Sequence, residues 1–582
     1  MKKLFFLGAL FAVGLGFTAC SSDKDEVANG NSSGVDDGLA YVSLAINLPS
    51  DNSGITRGEN DVYSDGKADE YTVNDVTLLF FEGTATSSKL LGKYQPTPSW
   101  NRIGTSIDNI TSVANIVQAI DKKLSNTPMH LLVILNDASG ITYSTTTGSE
   151  TTLGDVINAT VTSSNAITAG KMMMVNAPLA KAPGTNTEPT TDLLTLVPIA
   201  TTQIYNTAED AKANPAAQVY VERLASKVTV HSASGNTTNG TLPYSLVGWA
   251  IDNYNTKSYL MRSTNNFSTF YNYYSDKVDA TKKWRMVGST AVGNNYDASE
   301  TYYRTYWAED INYGDLTEAL TTTTTPTYKT LFGDDNPAYC FENTFSVAKQ
   351  LFENTTRVVL KVQFNGGTPF YTLGGNGSVL YASDAALITK LKELLLNLTS
   401  VKDWLTLNAT ALGGNTFDGN DVTITISTSG TTTTVTDITF SLTDFNTSDP
   451  SYVAPNTYYS GWITDLNAAA DGITKYDGNA YYVARIKHFG DDLTPWLNTE
   501  HLTTGAYDDE DGAGKPISRY LGRYGMLRNN WYDLTISTIK QIGSATVPTV
   551  TGDTTTDDVV ESYIAVKINV LSWAKRTQSV NL

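Results

Sequence analysis

Cysteine is almost missing from this 582-residue chain: Cys20 and Cys340 are the two present. Cys20 belongs to the N-terminal region, so the body has no pair with which to close a disulfide and depends on a packed core. Histidine is as scarce. His130, His231, His488 and His501 are the four, and none has the close His or Cys spacing of a zinc site. Charged residues make up only 17%, and their balance is a formal −19. A surface this acidic repels nucleic acid and anionic lipid, which excludes those partners. Past the N-terminus no apolar run reaches the roughly 20 residues that a membrane-crossing helix needs, so the body is expected to be soluble.

Threonine, asparagine, glycine and tyrosine fill the gap, with 44 Gly and 33 Tyr. Thr and Tyr favour strands while Asn and Gly favour tight turns, the composition of an extracellular β-protein. Ala40, Val42, Leu44, Ile46 and Leu48 alternate at period two, the pattern of a strand with one buried face, and Pro49 ends it. Short runs of this kind recur at 73–81, 130–135, 171–175 and 218–230, a spacing that favours a β-sandwich over an α/β fold. A domain boundary is placed near Glu222. One helix is expected in the second half, capped by Ser383, with Leu387, Leu391, Leu394, Leu395 and Leu398 as a stripe that covers a sheet. The threonine runs 321–325 and 431–434 read as loops or hairpin edges. Gly374-Gly375-Asn376-Gly377 lacks the Lys-Ser/Thr ending of a phosphate loop and reads as a turn.

The two ends carry the sharper signals. Lys2 and Lys3, the apolar residues 4–17 and then Phe17-Thr18-Ala19-Cys20 have the layout of a lipoprotein leader. Residues 1–19 are expected to be removed, with Cys20 becoming the diacylated N-terminus and the polar, acidic stretch 21–38 a flexible tether. Arg57 is the first arginine in the chain and sits among Asn, Ser, Gly and Asp, as an exposed loop would place it. At the other end Ile564, Val566, Ile568 and Val570 alternate like the first strand, and a second small alternation ends on Val580 and Leu582. Such a strand is either the last of the core or an extension made for another molecule.

Patterns that carry chemistry are weak. Asp508, Asp509, Glu510 and Asp511 offer calcium-type oxygens, but their spacing fails the EF-hand pattern and a solvated acidic loop fits better. Asp491 and Asp492 beside His488 mimic an acid/base group and are read as structural. His130 and His488 are placed in or beside strands. Tyr271, Tyr273, Tyr274, Tyr302 and Tyr303 suit cross-strand packing better than a glycan- or protein-binding face. No enzyme activity, cofactor or metal is expected.

Several strings, taken in order, point to one family. They are VERLASKV (221–228), LVGWAIDNYNTKSYLMR (246–262), YRTYWAEDINY (303–313), YCFENTF (339–345), RIKHFGDDLTPW (485–496), RYGMLRNNWYDLTI (523–536) and VLSWAKRTQSVNL (570–582). With the leader and Arg57 they resemble the shaft-forming fimbrillins of the type V pilus of Gram-negative anaerobes, in particular the major subunit of the short fimbriae. The resemblance implies an all-β fold of two transthyretin-like β-sandwich domains with a minor helix in the second. It implies a leader over 1–19, a propeptide over 20–57, sandwiches over 58–222 and 223–562, and a donor-strand region over 563–582. It also implies a maturation route, in which an arginine-specific protease cuts between Arg57 and Gly58 and removes the strand bearing Val42, Leu44, Ile46 and Leu48. The opened groove would then take Ile564, Val566, Ile568, Val570, Val580 and Leu582 from a neighbouring copy.

The expected function is therefore a structural fimbrial subunit for adhesion. Its expected partners are copies of itself, anchor and tip accessory subunits, the protease and, through the lipid, the outer membrane before cleavage. The alternative is a monomeric surface lipoprotein, or an anchor or tip adhesin that binds glycan or protein. Losing Lys2 and Lys3 makes the charge −21, and losing 20–57 brings it to −17, so subunits repel one another except where a specific joint forms.

Overall fold

The computed structural model describes residues 18–19, 38–49, 66–102, 110–180, 193–214, 216–232, 238, 242–264, 287–293, 302–305, 307–313, 320–321, 325–488, 521–549, 564–571 and 576–578. At 18–19, 49, 102, 110–111, 287–293, 302–304, 320–321, 564–571 and 576–578 only the backbone is described. The architecture is all-β with a few helices.

The N-terminal body is built from β1 (Leu39–Pro49), the short helix α1 (Ala68–Tyr71), β2 (Val76–Phe81), β3 (Leu90–Tyr94), β4 (Ile110–Asp121), β5 (Met129–Leu135), β6 (Met174–Asn176), β7 (Val197–Ile199) and β8 (Ala217–Arg223). Hydrogen bonding runs β4–β1–β8–β6–β5–β2–β3, with β7 on β5. Strand β8 belongs to two layers: its residues 217–220 pair with β1, and 221–223 pair with β6. The apolar side chains of β1, β4 and the first half of β8 thereby face those of β2, β5, β6 and β7 across one core. The run expected at 171–175 is a strand only from Met174 to Asn176. Buried Asn176 extends the ladder with its side chain, accepting from Val133 N at 2.9 Å and donating to Leu131 O at 2.9 Å. The other face of β2 and β5 is also buried, under Leu153, Val156, Leu260 and Phe341, which is why these strands are apolar on both sides.

The second body begins at β9 (Ala225–Ser232), one residue after β8. It continues through β10 (Ser245–Asp252), β11 (Ala338–Phe341), β12 (Arg357–Gln363), β13 (Phe370–Leu373), α2 (Asp384–Asn397), α3 (Thr399–Leu407), β14 (Val422–Ser429), β15 (Thr432–Phe440), α4 (Tyr459–Ala470), β16 (Ile473–Tyr476), β17 (Asn479–Arg485), β18 (Trp531–Ile539), β19 (Ile564–Leu571) and β20 (Arg576–Gln578). The sheet β11–β9–β18–β19–β20 packs on β10–β12–β17 around Val228, Trp249, Leu360, Tyr482, Tyr532 and Leu534.

Between β12 and β17 lies an insert whose sheet runs β13–β16–β15–β14, with helices on one face. The expected helix is α2: Ser383 Oγ accepts from Ala386 N at 3.2 Å, and Leu387, Leu391 and Leu395 are fully buried. The structure adds α3 and α4, which pack Trp404 and Trp462 against Phe440 with ring centroids 5.5 and 5.0 Å apart. Gly374-Gly375-Asn376-Gly377 is a turn, and its return brings Tyr381 back onto Tyr371. Gly377 is fixed by space, since a Cβ there would come within 2.5 Å of Ile542 O. The threonines 432–434 are strand residues of the β14–β15 hairpin.

Where the bodies meet, the seam is ionic and buried. Glu70 of α1 pairs with Lys227 of β9 at 2.8 Å, Glu222 of β8 with Arg262 at 2.7 Å, and Glu342 with Arg528 at 2.5 Å, all six side chains at most 6% exposed. Glu70 also accepts from Tyr339 Oη at 2.5 Å and Lys67 N at 2.9 Å. The Lys227 ammonium lies 3.7 Å from the centroid of the Trp531 ring. Nearby, fully buried Asp310 accepts from Asn312 N and Thr344 N at 2.9 Å and from Asn255 Nδ2 at 2.6 Å. Burial pushes its carboxyl up to about 8, against the pull of those donors. The strings that carry the family resemblance between 221 and 345, and again at 523–536, thus converge on one buried polar seam.

Burial acts to raise the Glu70 pKa, but the Lys227 charge and the hydrogen bonds from Lys227, Tyr339 and Lys67 outweigh it and hold the carboxyl below its usual range. A group depressed in this way stabilises the fold above its unfolded pKa, and the contribution disappears as pH falls through the folded value. Glu70→Gln leaves Lys227 charged and buried, and should lower stability at pH 7 by about 3–5 kcal/mol. The urea midpoint of variant against parent measures this, and the gap should close toward acid pH.

Candidate functional site

The residues that the sequence singles out at its start become the centre of a sheet. Strand β1 pairs antiparallel with β4 over its full length, from Leu39 opposite Asp121 to Leu48 opposite Ser112, with an irregularity at Pro49. On its other edge, residues 44–47 pair in parallel with 217–220 of β8, and Tyr41 and Val42 pair antiparallel with Tyr205 and Ile204. Ala40, Val42, Leu44, Ile46 and Leu48 point into the core at 0–1% exposure. The opposite face is closed as well: Ser43, Ala45 and Asn47 are buried, and the helix Ala208–Ala213 packs against the strand. Asn47 Nδ2 spans the joint to β8, donating to Gln218 Oε1 at 3.0 Å and Val219 O at 3.2 Å.

Strand β1 therefore occupies a groove with two hydrogen-bonding walls and an apolar floor. Each of its large apolar side chains is worth about 1.5–3 kcal/mol of burial before ordering costs. Without the strand, β4 and β8 would expose facing rows of unpaired N–H and C=O groups beside an apolar trough, a template for any strand with the same alternation.

The C-terminal candidate has a different setting. Strand β19 pairs antiparallel with β18, placing Val566, Ile568 and Val570 opposite Ile536, Leu534 and Tyr532, three core residues. Among the described residues, its far edge pairs where Ile568, Asn569 and Val570 meet Gln578, Thr577 and Arg576 of β20. So Ile564, Val566, Ile568 and Val570 form the last full strand of their own sheet, paired completely on one edge and partly on the other. Groove and strand lie on different sheets of the chain.

Cys20, Arg57, Gly58, Val580 and Leu582 lie outside the described residues, as do His501, Asp491, Asp492, the acidic run 508–511 and Tyr271, Tyr273 and Tyr274. Tyr302 and Tyr303 are strand residues described by their backbone alone. His130 is in β5, and burial lowers its pKa. His488 is buried just beyond β17, with Nδ1 2.7 Å from Tyr532 Oη. Cys340 is buried in the core, where burial pushes its thiol up to about 12 and leaves it unreactive. Sequence reasoning missed the second buried face of β1 and its Asn47 bridge, because small and polar residues carry no hydrophobic signal.

Comparison with known proteins bears on the C-terminal half. None of the curated proteins matches the chain. A solved structure from Parabacteroides distasonis, described as a cell adhesion protein, aligns at 11% identity and a TM-score of 0.35, covering 91% of this chain and 96% of its own. The tip fimbrial protein Mfa3 of Porphyromonas gingivalis, truncated at its C-terminus, aligns at 11% identity and a TM-score of 0.33, covering 92% of this chain and 100% of its own. At such scores these likenesses carry no argument about role. Residues 504–579, which hold β18, β19 and β20, match the family model described as Major fimbrial subunit protein type IV, Fimbrillin, C-terminal. Over those residues, and on that evidence, the chain is similar to the C-terminal part of major fimbrial subunits.

Proposed function

We propose that the chain is a polymerising fimbrial subunit that exchanges strands with its neighbours. The observation that carries this reading is the position of β1: a strand at the centre of its sheet, followed within a few residues by the first arginine of the sequence. The chain is exported as a lipoprotein on Cys20 and held at the outer membrane. An arginine-specific protease cuts between Arg57 and Gly58, and the released segment 20–57 takes lipid and β1 with it. The body then consists of the domains 58–222 and 223–562, with 563–582 free to serve the next subunit. The alternation of Ile564, Val566, Ile568 and Val570 repeats that of Val42, Leu44, Ile46 and Leu48, so the tail has the template that the groove requires. Because groove and donor are different surfaces of one chain, the joint is heterologous and propagates as a filament. Its partners are other copies and fimbrial accessory subunits.

The pairing of β19 with β18 within one chain favours a second reading, an anchor or tip protein that keeps its own strands. The N-terminal residue and mass of protein sheared from cells separate the two: an unlipidated Gly58 terminus supports the shaft reading, and lipidated Cys20 supports the anchor. Arg57→Ala should leave a lipidated monomer, and normal filaments from that variant would refute the cleavage site. Deleting 570–582 should give subunits that mature but fail to chain, seen as monomers by size-exclusion chromatography. Filaments of that deletion would move the donor elsewhere.

A further inference from the structure

Away from the groove, three side chains far apart in the sequence meet on the outer face of the second body. His231 sits near the end of β9, Asp533 lies on β18, and Asp334 is on the loop that leads to β11. His231 Nε2 is 2.9 Å from Asp533 Oδ1 and 3.0 Å from Asp334 Oδ1, and the three ligand atoms all lie within 4.8 Å of one another. The backbone builds this approach. Gly333 N donates to Val230 O at 2.8 Å, and Gly333 has φ +106, so the loop turns directly over His231 and presents the next residue to it. Asp533 is oriented from behind: Thr229 Oγ1 donates to its Oδ1 at 2.8 Å and itself accepts from Trp531 Nε1 at 2.7 Å.

One ring nitrogen faces two carboxylates. A single N–H directs well at one acceptor, so one imidazole nitrogen is shared between two carboxylate oxygens. As a ligand set it is balanced: a neutral imidazole lone pair and two carboxylate oxygens carry two negative charges, which one divalent cation neutralises. The imidazole nitrogen lies about 3 Å from each carboxylate oxygen, and a small adjustment of exposed Asp334 would let one ion sit at about 2.0–2.2 Å from all three. A nitrogen with two oxygens selects zinc over calcium and magnesium, which take oxygen ligands throughout. Thr229 supplies the hydrogen-bonded outer shell that keeps a ligating carboxylate in place.

We propose that His231, Asp334 and Asp533 form a zinc site that clamps the 333–334 loop to strands β9 and β18, with a fourth position open toward solvent on the side of Asp334, which is 58% exposed. The site lies apart from the β1 groove. Its residues escaped the sequence reading because His231 and Asp334 are 103 positions apart, and no short motif joins them.

Titration of the full chain, first stripped of metal with a chelator, against Zn2+ alone tests the site. The parent should bind one equivalent more than either His231→Ala or Asp334→Asn, and Ca2+ or Mg2+ should not displace it. Asp334 is exposed, so its variant folds whether or not His231→Ala does, and circular dichroism of both confirms this. A parent that binds no more zinc than Asp334→Asn overturns the proposal and leaves the cluster as an imidazolium held between two carboxylates. So does an extra equivalent that calcium removes.

Discussion

A strand hydrogen-bonded on both edges and buried on both faces has no substitute within its own domain, and β1 is such a strand. Its core side forms the floor of the N-terminal sandwich, its other side is closed by the helix Ala208–Ala213, and its edges join β4 to β8. Strand β8 depends on this twice, since its first half completes the layer with β1 while its second half belongs to the layer with β6. The core of the N-terminal body is thus organised around eleven residues near the chain's beginning. Contacts of high sequence separation hold them, Ala217 opposite Leu44 among these.

The seam between the bodies has the complementary character. Any event that empties the β1 groove threatens β8, whose next neighbours are Leu224 and β9. At that junction Glu222, Arg223 and Lys227 are held by partners from elsewhere in the chain: Arg262, Glu70 and Asn529. Buried ion pairs are a weak source of net stability but a strong source of geometry, because each has one arrangement that satisfies its charges. The seam fixes the path of β8 into β9 by contacts that β1 does not make. That is the property a subunit needs if it is to lose a central strand without losing its shape.

Much of this was readable from the residues, and the failures have physical causes. Period-two alternation located β1 and β19, and a leucine stripe behind Ser383 located α2, because burial of large apolar side chains imposes the period of the backbone on the sequence. Helix α4 escaped because its buried face is a narrow row of Trp462, Leu466 and Ala470 among small and polar neighbours. The seam was visible only as a resemblance between strings. Its contacts lie in pairs such as Arg528 and Glu342, 186 positions apart, and such pairs leave no local period to detect. The cluster of His231, Asp334 and Asp533 was hidden for the same reason.

The proposed exchange must also be favourable, and the two strand settings give it a direction. In its own sheet β19 has one complete ladder, to β18, and a three-residue contact with β20. The groove offers walls on both sides, since β4 pairs with the whole of β1 and β8 with four of its residues. Moving the tail from the first setting to a neighbour's emptied groove exchanges an eight-residue ladder and a three-residue contact for a wall of up to eleven residues on β4, four on β8 and two at Ile204–Tyr205. Each net hydrogen bond is worth about 0.5–1.5 kcal/mol, and the apolar floor of the groove is reburied as well. Against this stand the cost of association and the bare edge left on β18. While β1 fills its groove there is no longer wall to gain, and the tail is best placed at home. In the proposed scheme, cleavage at Arg57 would reverse that balance, so that removal of β1 would control assembly and tie polymerisation to release from the membrane.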